Sequence, residues 1–178
     1  LLGLLAFALA TGLIYGRFSK PSAKIKYSNY GVIAPYQDIN AFMFRVLNPQ
    51  NNQLLEVEVT VTLSMKKEDS DTRDFFFLEL ERKEIIYFPS IWTIVHPINE
   101  ESPLYKLTEE DLHKKDVEFI IMIKAFDDSF SQIVYSRSSY KSDELKYGEK
   151  FAYIIKRDDN GITVDVSRID ETEKVELN

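Results

Sequence analysis

The chain is predicted to be mainly β: a sandwich built of many short strands, preceded by the C-terminal part of a membrane-spanning helix. Two observations carry this. From about residue 25 onward, apolar residues recur with period two in segments of four to nine, separated by Asn, Asp, Gly and Pro signals. Before that, Leu1–Tyr15 (LLGLLAFALATGLIY) holds no charge, and Arg17, Lys20, Lys24 and Lys26 follow at once. An uncharged apolar run is stable in hydrocarbon, and basic side chains collect where a chain meets anionic headgroups on the cytoplasmic side.

Leu1–Gly16 would rise only about 24 Å as a helix, short of the ~30 Å hydrocarbon core, so it reads as one end of a longer span. A secretory signal would carry its basic residues before the apolar run, and here they come after it. A buried core helix is the other alternative, but Gly3, Gly12 and the all-round apolar character suit lipid or a helix bundle better. The segments divide as 1–17, the end of the spanning helix; 18–30, a basic linker; and 31–178, the β domain. Pro21 marks the break, because it lacks an amide donor and biases Lys20 away from helical angles.

Strands follow in order. Residues 25–30 alternate and continue into Val32-Ile33-Ala34, which meets Pro35 at an edge. Phe42–Leu47 is stopped by Asn48-Pro49. Leu55–Leu63 is the cleanest strand, one face Val and Leu, the other Glu and Thr. Lys66–Asp74 is a charged hairpin loop. Phe75–Leu80, Ile85–Phe88 and Ile91–His96 are further strands, the last closed by Pro97. Thr108 caps a short helix whose acids Glu109, Glu110 and Asp111 face its positive end. Val117–Ile123 is apolar enough for a central strand. Phe130–Arg137, Leu145–Lys156 and Ile162–Val166 complete the set, with a hairpin at Asp159-Asn160-Gly161.

Composition narrows the function. The chain has 178 residues, no cysteine and a formal net charge of −7. Without cysteine there is no disulfide framework, thiolate metal site or cysteine nucleophile. Residues 1–37 carry four basic side chains and no acidic one, so the rest holds 18 basic against 29 acidic groups. A basic collar and an acidic body argue against nucleic acid as a partner and suit lipid at one end and cations at the other. No enzyme chemistry emerges. His96 reads as a structural hydrogen-bonding residue and His113 as a solvated one. No Gly-x-Ser-x-Gly elbow, phosphate-cradling glycine cluster or His–carboxylate metal spacing occurs, so no cofactor is expected. The adjacent acids Asp127-Asp128 are a weak catalytic signal, since neighbours on a strand point to opposite faces.

Several stretches, in order and at matching spacing, resemble the inward-rectifier potassium channel family, especially its bacterial members. They are Ala10–Pro21, Val32-Ile33-Ala34-Pro35-Tyr36, Trp92-Thr93-Ile94-Val95-His96-Pro97-Ile98, Glu101-Ser102-Pro103-Leu104, Ser136–Tyr140, Tyr147-Gly148 and Phe151. The resemblance begins in the lower inner helix and runs through the cytoplasmic domain; the outer helix, pore helix and selectivity filter are absent from this sequence. It implies an immunoglobulin-like sandwich assembled as a homotetrameric ring that extends a potassium path, in the inner membrane of a bacterium, with the sandwich cytoplasmic. It also implies gating that couples lipid or ligand binding to the inner-helix crossing. By resemblance, Tyr15 sits at the inner-helix crossing, where four aromatic rings can close a pore by dewetting, and Gly12 is a small inner-helix residue. Glu56, Asp128, Asp127 and Glu84 match cytoplasmic pore acids, which in four copies would concentrate potassium and polyvalent cations. Arg17, Lys20, Lys24 and Lys26 form the anionic-lipid contact. Two departures matter. Phe7 stands where strong rectifiers carry an acid, which implies weak rectification by that route. Lys20-Pro21-Ser22-Ala23 lacks the full basic cluster of phosphoinositide-activated channels. A membrane-anchored binding module without a pore is the rival reading.

Overall fold

The computed structural model describes residues 2–18, 23–50, 52–68, 70–158 and 161–178, the side chains of 12–18, 157, 158 and 162 excepted. Helix α1 (Leu2–Phe18) is followed by strands β1 (Lys26–Tyr27), β2 (Gly31–Tyr36), β3 (Ile39–Leu47), β4 (Leu54–Lys66), β5 (Arg73–Phe77), β6 (Glu84–Tyr87) and β7 (Trp92–Pro97). Helix α2 (Glu109–Lys114) precedes β8 (Glu118–Asp127), β9 (Gln132–Lys141), β10 (Leu145–Tyr147), β11 (Glu149–Phe151), β12 (Ile155–Asp158), β13 (Gly161–Val164) and β14 (Thr172–Lys174).

Two five-stranded sheets face each other. In sheet A, β3 pairs with β7 on one side and with β2 on the other, β1 prolongs the β2 side, and β10 adds in parallel. In sheet B, β4 pairs with β8, which pairs with β9; β5 and β6 share the other side of β4. The alternation Val57, Val59, Val61, Leu63 on β4 and Phe119, Ile121, Ile123 on β8 turns these residues inward against Phe42, Phe44 and Ile94 of sheet A. Phe42 stacks on Phe119 with ring centroids 3.9 Å apart, tying the sheets together. Gly31 leaves room for this ring, since a Cβ there would lie 2.6 Å from Phe42 Cε2.

Sheet A buries its outer face as well. Val32, Ala34, Ala41, Met43 and Val95 are covered by Phe151 and Val175 from the C-terminal segment. That segment is pinned by Asn29, whose backbone N–H and Nδ2 donate to Asp170 at 2.6 and 2.9 Å. It is pinned again by Asn178, paired with Asn40. Arg45, nearly buried here, donates from Nη2 to the Ala152 carbonyl at 2.7 Å and lies 4.7 Å over the Phe151 ring.

Several expectations are adjusted. The long strand starts at Leu54 and contains a bulge between Leu55 and Glu58. The extra residue lets both Leu54 and Val57 point inward although they differ in parity. Residues 145–156 form three short strands, not one, broken at Gly148, whose φ of 70° suits glycine. Of residues 25–30 only Lys26–Tyr27 form a strand: the Ser28 amide still donates to the Arg45 carbonyl at 2.8 Å, but the Arg45 amide donates to the buried Ser28 hydroxyl, which donates to the Tyr30 carbonyl. Ala23 and Ile25 join the main core, so the sandwich begins inside the stretch read as linker. Thr108 caps α2 as expected, in a reciprocal capping box with Asp111. The turn residues Asp159 and Asn160 lie outside the described residues; Asp158 and Gly161 pair on either side of them.

Helix α1 has 17 residues, about 26 Å at ~1.5 Å per residue. Its described side chains, Leu2–Thr11, are all exposed. Among the described residues no helix is long and apolar enough to cross a membrane.

Candidate functional site

The β4 bulge shapes the site. Glu56 occupies it at φ 47°, an exposed carboxylate that departs from the regular pleat. Beyond it, strand register lines up Glu84, Glu58, Lys124 and Tyr135 in one row across β6, β4, β8 and β9, on the outward face of sheet B. Lys124 Nζ lies 3.5 Å from Glu58 Oε2. Glu56, Glu58, Glu84, Arg82 and Lys124 line an open groove of about 970 Å³, with Tyr87 and Trp92 in its apolar wall. Three carboxylates against two basic groups make a solvent-facing, net acidic surface. Such a surface attracts mobile cations without dehydrating them, and Lys124 offsets part of its field.

Glu56 and Glu84, singled out from the sequence, are therefore brought into one groove. Asp127 and Asp128 lie at the far end of β8, in the turn to β9, and their roles divide. Asp127 is 1% exposed and accepts from Asn52 Nδ2 at 2.5 Å and from the Ser129 and Phe130 amides at 2.9 and 3.2 Å. A carboxylate so occupied holds the turn together and is not presented to ions, which corrects its reading as a pore acid. Asp128 is exposed, with its amide donating to the Gln53 carbonyl. Lys24 and Lys26 are exposed. Lys20 lies outside the described residues, as do the surroundings of Gly12 and the side chains of Tyr15 and Arg17.

Sequence reasoning missed Glu58 and Lys124. The signals were present: Glu58 shares the polar parity of its strand with Glu56, and Lys124 is a lone charge after the apolar run 119–123. His96 is buried, with Nδ1 2.6 Å from the Glu79 carbonyl and Nε2 2.8 Å from Ser102 Oγ. A carbonyl only accepts, so Nδ1 carries the proton, and Nε2 accepts from the serine hydroxyl, which itself accepts from the Leu104 amide. Burial lowers the His96 pKa and favours this neutral form. The arrangement is structural. Among the described residues no group of three or more His, Asp or Glu could hold a metal ion.

Comparison with known proteins agrees with this architecture. Residues 25–178 match the family model of the inward rectifier potassium channel C-terminal domain. The inward rectifier potassium channel Kirbac3.1 of Paramagnetospirillum magnetotacticum is 33% identical over 154 residues, 85% of this chain and 52% of that protein. The G protein-activated inward rectifier potassium channel 2 of Mus musculus is 23% identical over 184 residues, 96% of this chain and 43% of its own length. The chain thus spans about half the length of these relatives. Spo0M, a sporulation control protein of Bacillus subtilis, superposes with a TM-score of 0.33 at 9% identity over 71% of this chain and 50% of its own, too loosely to bear on fold or function. On the family match and the Kirbac3.1 identity together, the chain belongs to the inward rectifier potassium channel C-terminal domain family.

Proposed function

We propose that this chain forms the cytoplasmic ring of a homotetrameric potassium channel in a bacterial inner membrane, with the outward face of sheet B turned toward the ion path. The observation that carries the reading is the groove in which Glu56, Glu58 and Glu84 converge on one exposed face. Four copies around an axis would give rings of carboxylate that raise the local concentration of potassium and of polyvalent cations. Asp128, exposed at the β8–β9 turn, adds a further acid to this path. Helix α1 would continue the inner helix, with Tyr15 at its crossing and Gly12 permitting close packing. The collar Arg17, Lys20, Lys24 and Lys26 would meet anionic headgroups and couple lipid binding to that crossing, each basic side chain contributing ~1 kcal/mol near the surface. Rubidium uptake into anionic liposomes holding the full-length protein tests this. Uptake should be competed by potassium over sodium and lost on charge reversal of the collar. No uptake from folded tetramers across several anionic lipids would favour the membrane-anchored binding module.

A further inference from the structure

Residues 149–174 leave the sandwich and return to it at one point. The Gly148 amide donates to the Ile33 carbonyl of sheet A, and the Val175 amide donates back to the Gly148 carbonyl, both at 2.9 Å. Between these residues the backbone bonds to itself: β11 pairs with β14, β12 pairs with β13, and the Ala152 amide donates to the Glu171 carbonyl. Among the described residues no backbone–backbone hydrogen bond joins 149–174 to either five-stranded sheet. Ile154 and Ile169 are buried yet belong to neither apolar cluster of the sandwich. The polar ties to the sandwich run through side chains: Asn29 with Asp170, Lys146 Nζ with Thr172 Oγ1, and Arg45 with the Ala152 carbonyl. A segment that shares no ladder with its neighbour can open below the free energy of global unfolding.

Arg45 makes that opening easier. It shares the parity of Ala41 and Met43 on β3, which places it on the outer face of sheet A beneath this segment. It is 9% exposed, with Nη2 on the Ala152 carbonyl and the guanidinium over the Phe151 ring. Its Nε and Nη1 are buried with no hydrogen-bond partner. A buried charge with unsatisfied donors costs free energy that contact with water restores. Water reaches it when the segment lifts, because Phe151 and Ala152 belong to the segment. The charge therefore opposes closure, while the packing of Phe151 and the Asn29–Asp170 pair favour it.

We propose that residues 149–174 form a strap that lifts as one unit about its Gly148–Val175 base while the sandwich stays folded, and that Arg45 sets how often it lifts. The test is thiol labelling of the full-length protein in detergent, read residue by residue by mass; the chain described here has no cysteine of its own. Val32→Cys reports the face under the strap and Val61→Cys the main core, both 0% exposed in the parent. Val32→Cys should label faster than Val61→Cys, and Val95→Cys, under the same cover, should follow it. Asp170→Ala should speed both strap reporters by about tenfold and leave Val61→Cys unchanged. Arg45→Met should slow them by about tenfold, because the Ala152 carbonyl it leaves without this donor costs less to bury than a guanidinium. Equal labelling of Val32→Cys, Val95→Cys and Val61→Cys would show that the cover opens only with the whole fold and would overturn the strap. Labelling of the Arg45→Met variant at the parent's rate or faster would overturn the role of Arg45.

Discussion

The outer faces of the two sheets differ in a way that the inner faces do not. Sheet A is sealed on both sides: its outer residues Val32, Ala34, Met43 and Val95 lie beneath Phe151 and Val175 of the chain's own C-terminal segment. Sheet B is sealed on one side only and leaves Phe75, Phe77, Ile120, Met122, Ile133 and Tyr135 in solvent beside an acidic groove. Each sheet has apolar residues of both parities, but among the described residues only sheet A receives an outer cover from the chain itself. A sheet that faces water normally shows polar residues outward. The open face of sheet B is therefore the surface that the proposed ring would use, and the covered face of sheet A marks what the stability of the fold depends on.

This contrast breaks most sharply under the same substitution on the two faces. Val95→Asp places an unpaired charge beneath the C-terminal cover and should cost about 3 kcal/mol or more. Met122→Asp, on the open face, should cost about 1 kcal/mol or less. Urea unfolding of both variants against the parent reads the difference, and equal losses would show that the open face is as buried as the covered one. A smaller effect separates the two neighbouring acids at the end of sheet B. Asp127→Ala leaves the Asn52 amide and two backbone N–H groups without their acceptor, at a cost of about 2 kcal/mol. Asp128→Ala, at an exposed position, should change stability by no more than about 0.5 kcal/mol. The same unfolding measurement distinguishes them.

Much of this was readable before the structure. Strand alternation in Val57–Leu63 identified the buried face of sheet B, and the Thr108 cap placed α2, because both patterns are local. The bulge at Leu55–Glu58 was not readable, since one extra residue in a strand leaves no mark on its composition and shows only in the register with β8. Gly148 hinted at the break in residues 145–156, but the short strands there exist only through partners distant in sequence, β2 and β14. At the site, Glu56 and Glu84 were found through resemblance. Their meeting across β4 and β6, and the presence of Lys124 beside them, depend on pairing that no single stretch contains. Asp127 was also selected through resemblance, and its burial shows only in the hydrogen bonds it accepts from Asn52, Ser129 and Phe130.

The central claim is that the acidic groove on the open face of sheet B borders the ion path. The most direct measurement is the potassium conductance of full-length channels carrying Glu56→Gln, Glu58→Gln and Glu84→Gln together, compared with the parent at low and high salt. All three side chains are at least partly exposed, so the fold should survive the change. Conductance should fall about twofold at roughly 0.05 M salt and converge with the parent near 1 M, where the screening length shrinks to ~3 Å. Equal conductance of the two proteins at every salt concentration would contradict the account.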